Sequence, residues 1–142
     1  MKKFLFIIIF FLSAFIKNAD AQTSGVPDTL AYLQTIVANK SQYIGQPFSV
    51  LLNSLQIQIK FFTPLGNIPH DKTKETSTHF GFHFPQNANE IYLTYPGLKI
   101  SWQPCLDNIS SHSLYNQYNG AWVSAVLSYY SNGIIADIQI IE

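Results

Sequence analysis

The sequence predicts an α+β fold: one or two N-terminal helices packed on an antiparallel sheet of about five or six strands. Three observations carry this expectation. Apolar residues between Asp28 and Lys40 recur at helical spacing, and those in "THFGFHFP" (78–85) and in the closing "GIIADIQIIE" alternate as strand residues do. Turn-forming Pro96-Gly97 and Ser131-Asn132-Gly133 punctuate the alternating runs.

Ahead of these elements, "MKKFLFIIIFFLSAFIKNADAQ" places Lys2 and Lys3 before an apolar block from Phe4 to Ile16 and closes on Ala19-Asp20-Ala21. That is the layout of a secretory signal peptide cleaved after Ala21. The block is shorter than the roughly 20 residues that span a bilayer, and no cysteine follows it to carry a lipid. The expectation is a leader over 1–21 and a single globular domain over 22–142. That domain is secreted or periplasmic, with no stable membrane anchor after cleavage.

Without the leader, five lysines face seven acids, a net charge of −2, and the chain contains no arginine. Nucleic-acid recognition needs a basic patch and favours the guanidinium fork, so nucleic acid is not an expected partner. Cys105 is the only cysteine, so no internal disulfide forms and stability rests on packing, in which most of the aromatic residues should serve.

Asp28 is placed to cap a first helix bearing Leu30, Leu33, Ile36 and Val37, which ends near Asn39 and Lys40. Pro47 suits the first turn of a second helix with Val50, Leu51 and Leu55 on one side, and Ile57, Ile59 and Phe61 then alternate as a strand. From Pro64 to Ser77, prolines, glycine and clustered charge predict an exposed loop. Phe80, Phe82 and Phe84 next form the core face of a strand. Ile91, Leu93 and Tyr95 pair across Pro96-Gly97 with Leu98, Ile100 and Trp102. Pro104 to Gly120 reads as a long polar loop. Ala121 to Tyr130 fits either period, and the Ser-Asn-Gly turn that follows tips it to strand, paired with a last strand carrying Ile134, Ala136, Ile138 and Ile140.

Chemistry is sparse. On a strand, His79 and His83 stand about 13 Å apart, too far to share one ion through bonds of about 2 Å, so no metal site is expected. Cys105 and His112 lack the surroundings of a thiol nucleophile and its base. Glu90 and Asp107, the acids nearest strand ends in mid-chain, are not brought by anything in the sequence to the roughly 5–9.5 Å separation of a glycosidase pair. No nucleophile elbow, phosphate loop or zinc-protease motif occurs, so no catalytic residue and no cofactor is expected, and the sequence weighs against an enzyme.

Binding remains. Tyr115, Asn116, Gln117 and Tyr118, with Trp122 close by, combine aromatic area with directed amides, as ligand-contacting surfaces do. The competing reading packs the two tyrosines into the core. The functional expectation is a non-catalytic domain that binds another protein, as an inhibitor or immunity factor does. The alternative is a glycan-binding or glycan-processing protein using the 104–120 segment.

Overall fold

The computed structural model describes residues 28–84 and 95–142. The leader expected over 1–21, Gln22, Glu90 and the strand expected at Ile91 and Leu93 lie outside the described residues. Among those described, the elements run α1 (Thr29–Ala38), a 3-10 turn (Lys40–Gln42), α2 (Phe48–Ser54), β1 (Phe61–Ile68), β2 (Asp71–Gly81), β3 (Gly97–Asp107), α3 (Asn108–Tyr118), α4 (Ser124–Tyr130) and β4 (Ile135–Ile141). The strands form one antiparallel sheet in the order β1-β2-β3-β4. The α+β class and the antiparallel sheet hold. Among the described residues the sheet has four strands rather than five or six, and two helices, α3 and α4, fall in the C-terminal half.

The N-terminal helices follow from local signals. The Asp28 carboxylate accepts the Ala31 N–H at 3.0 Å, which satisfies one of the free donors of the first turn. Leu33 and Ile36 are buried on the core side of α1. Pro47 fixes the backbone at the start of α2, which buries Phe48 and Leu51.

The expected loop from Pro64 to Ser77 is instead most of a long β-hairpin. The two residues between Ile68 and Asp71, Pro69 and His70, make its turn, and Asp71 accepts the backbone N–H of Thr73 at 3.0 Å. Pro64 is tolerated because alternate β1 residues turn their backbone groups away from β2. The Phe62 N–H, of the same parity, donates to the Gly120 carbonyl at 2.9 Å on the outer edge. Gly66 adopts φ +70°, and a Cβ there would collide with the Thr76 hydroxyl.

Leu98 does not pair with Tyr95. β3 is an inner strand, and Leu98 lies between Phe80 of β2 and Ile140 of β4. The segment from Pro104 is likewise not a loop: β3 runs on to Asp107, whose carboxylate caps α3 by accepting the Ser110 N–H at 2.9 Å. Ala121 to Tyr130 is helical from Ser124, because spacing of four places Val126 and Tyr130 together in the core, both fully buried. Ser131 and Gly133 then close the end of α4 rather than a hairpin, through N–H bonds to Leu127 and Tyr130 carbonyls.

One sheet face carries Phe62, Phe80, Leu98, Ile100, Trp102 and Ile138 against Leu33, Phe48, Leu51, Val126 and Tyr130 of the helices. Aromatic rings dominate it: Phe48 and Phe80 stack at 4.7 Å, and Trp102 stacks on Tyr130 at 5.8 Å. With no disulfide, edge-to-face and stacked contacts of this kind consolidate the core. No helix of the described residues is long and apolar enough to cross a membrane.

Candidate functional site

The four residues singled out in the sequence lie on the last turns of α3. Tyr115 and Tyr118 are half-buried, and Asn116 and Gln117 are exposed. The two tyrosines do not act alike. Tyr115 packs edge-on against Phe62 at 5.9 Å and lines a cleft of about 250 Å³ with Phe61, Phe62, Thr63, Phe84, Asn119 and Gly120. Tyr118 does not line that cleft; its hydroxyl accepts a hydrogen bond from the Gln117 amide at 3.1 Å.

Local structure explains how the cleft forms. α3 ends at Asn119 in the left-handed conformation, φ 51°, followed by Gly120 at φ +74°. This turn sends the chain along the start of β1, where Phe62 N–H bonds Gly120 and Trp122 N–H bonds the Lys60 carbonyl at 3.0 Å. Gly120 is needed at this point because a Cβ would meet the Tyr115 ring at 2.9 Å. Across the edge strand, Phe61 contacts Phe84 at 5.6 Å, and Phe84 is 42% exposed. The result is an uncharged aromatic cleft with one amide at its rim. Trp122 belongs to the core instead, with its ring 5.4 Å from Phe80.

A second, more open groove of about 650 Å³ runs between α3 and α4, lined by Ile109, Ser110, Ser113, Leu114, Ala125, Ser128 and Tyr129. Its one aromatic hydroxyl, on Tyr129, already donates to the Asp107 carbonyl at 2.7 Å. Burial, followed by the charges of Glu75 and Asp107, pushes that phenol up to about 12.

The sequence reading missed a buried polar cluster. Glu75, expected in an exposed loop, is fully buried. A register shift between Glu75 and Ser77 turns its side chain to the same sheet face as Thr78. The Thr78 hydroxyl donates to the carboxylate and accepts the Trp102 indole N–H at 2.8 Å, while the Tyr130 hydroxyl bonds both carboxylate oxygens at 3.2 and 3.3 Å. Burial raises the Glu75 pKa above the usual carboxylate range, and hydrogen bonds from Thr78, Ser111 and Tyr130 offset only part of that rise. A carboxyl with no exposed surface reaches no substrate, so the cluster ties β2, β3 and α4 together rather than performing chemistry. The signal for it was the threonine-rich "TKETST", strand-forming in composition although charged.

His79 and His83 are not on a common strand face: β2 ends at Gly81, and His83 lies beyond it with its ring 4.0 Å from Tyr95. His79 sits on the outer sheet face against the edge of Phe61, and its Nε2 is buried over Gly97 without a hydrogen-bond partner among the described residues. Burial lowers its pKa, so the ring is held neutral. Cys105 is half-buried on β3 and His112 is exposed on α3. Among the described residues no three His, Cys, Asp or Glu side chains gather as metal ligands would. Compared with family models, curated proteins and solved structures, the chain matches none.

Proposed function

We propose that this chain is an exported, non-catalytic protein-binding domain of the inhibitor or immunity kind. In this proposal the Phe61–Phe84–Tyr115 cleft is the anchor point for its partner. One observation carries the reading: a bulky aromatic, Phe84, is left 42% exposed at the mouth of an uncharged aromatic cleft. Binding energy at protein interfaces concentrates where a large side chain enters such a desolvated pocket. At about 250 Å³ the cleft falls below the usual 300–1,000 Å³ of small-molecule sites and suits one large apolar side chain of an extended partner segment. The amide of Asn119 and the hydroxyl of Thr63 supply polar atoms among its lining residues.

A glycan is the second reading. It is favoured by the exposed amides of Asn116 and Gln117 on the turn of α3 that also carries Tyr115. The test captures partners from the producing host with wild type and with Phe84→Ser, whose fold should persist because the side chain is already substantially exposed. The protein-binding reading expects one partner retained by wild type and lost by the variant. Saturable binding on a glycan array, without such a partner, would replace it with the second reading.

A further inference from the structure

We infer that the free edge of β4, together with α1, is a two-fold interface that takes a second copy of this chain. The two edges of the sheet are treated differently. β1 is closed to pairing by the Gly120 carbonyl bonded to Phe62 N–H and by Pro64, which has no N–H to offer. Among the described residues, backbone bonds cover β4 only at its start, where the Ile135 N–H bonds the Gln46 carbonyl at 3.0 Å and Gly45 N–H bonds the Ile135 carbonyl at 2.8 Å.

The direction of the remaining groups follows from the ladder. Gln103 N–H donates to the Ile134 carbonyl, so odd-numbered residues of β3 face β4, and their partners Lys99↔Gln139 and Ser101↔Asp137 are the hydrogen-bonded pairs. The backbone groups of Ile138 and Ile140 therefore point away from the sheet. Asp137, itself paired with Lys40, takes the Ile138 N–H. Ile140 is left presenting both an N–H and a carbonyl, with no partner for either among the described residues.

A group with one donor and one acceptor side by side is self-complementary about a two-fold axis. Ile140 of each copy would donate to and accept from the other, joining two four-stranded sheets into one of eight strands. The surroundings suit a second copy rather than a charged partner. Asp137 is the only charge within β4 and is neutralised by Lys40. α1, which packs beside β4, has no charged residue, and its exposed positions Ala31, Gln34, Thr35 and Ala38 are small or neutral, so two copies can lie close on the same side of the joined sheet.

Sedimentation equilibrium on the purified protein tests this, with Ile140→Pro and Ile140→Cys. Proline at Ile140 removes the outward donor without removing a donor of the β3–β4 ladder, so the dimer should weaken by at least about tenfold while the circular dichroism is retained. Cysteine at Ile140 should be joined to its own copy by a short thiol-specific bifunctional linker, because directly opposed hydrogen-bonded residues place their Cα atoms about 5.5 Å apart. The cross-link decides the matter should the proline variant fail to fold. A protein that stays monomeric through the micromolar range overturns the inference. So does a dimer that survives Ile140→Pro in a folded protein, or one in which the cysteine does not cross-link, or a monomer that instead takes up a different polypeptide along β4.

Discussion

Glu75 gives this protein a pH response whose sign follows from its burial. The perturbation is Glu75→Gln, which keeps the shape and an acceptor for Thr78 or Tyr130 but cannot ionise. In the folded chain burial raises the carboxyl above its ordinary 4.5. Between that value and the raised one, the native state holds a proton that the unfolded state has released. Stability from this group is therefore complete below about pH 4.5 and is lost as pH rises, with a slope approaching 1.4 kcal/mol per pH unit across the window. His79 acts in the opposite sense, because burial lowers its pKa below 6.5 and its contribution is lost as pH falls through the lowered value. The two overlap in mildly acidic solution, so wild type alone is ambiguous, whereas the difference between wild type and Glu75→Gln isolates the carboxyl. Asp71, Asp107 and Asp137, all lowered below their ordinary 3.8, act at more acid pH. Urea melts of both proteins from pH 4 to pH 8 should give curves whose separation changes with pH, with the glutamine variant gaining relative stability as pH rises. Parallel curves would refute the claim that burial raises the pKa of this carboxyl.

Three other outcomes are expected. Tyr130→Phe, which removes a hydroxyl from the buried carboxyl, should cost about 1–3 kcal/mol in urea unfolding. Tyr115→Ala should cost about 2 kcal/mol, less than a fully buried aromatic, while Asn116→Ala and Gln117→Ala stay within about 0.5 kcal/mol by the same assay. Intact-mass analysis of the exported protein should show a chain starting at Gln22, and retention of Met1 to Ala21 would overturn the leader reading.

The parts of the fold legible in the sequence are those where local chemistry and burial agree. α1 shows a capping aspartate and a helical stripe, and β4 was legible as a strand, although the register shift beside Trp102 buries Ile135 in place of the expected Ile134 and Ala136. Where they diverge, the reading failed. Pro64, Gly66 and Pro69 looked like loop punctuation, but one occupies a strand edge, one a left-handed position and one a two-residue turn. α3, "NISSHSLYNQY", is too polar to show an apolar stripe, and its only marker was Asp107 three residues before Ser110. α4 satisfied both periods, and the choice was made by Val126 and Tyr130 packing into the core, which no local pattern decides. Tyr115 was identifiable as a candidate from its polar surroundings. Phe61 and Phe84 were not, because they reach it across a strand edge more than thirty residues away in the chain.

Hydrogen–deuterium exchange on the captured complex tests directly whether a protein partner seats, as proposed, on the cleft between β1 and the end of α3. New protection is expected over residues 61–63 and 115–120, with the helical groove at Ile109 and Leu114 unchanged. Protection confined to that groove, or no change at either place, would contradict that seating.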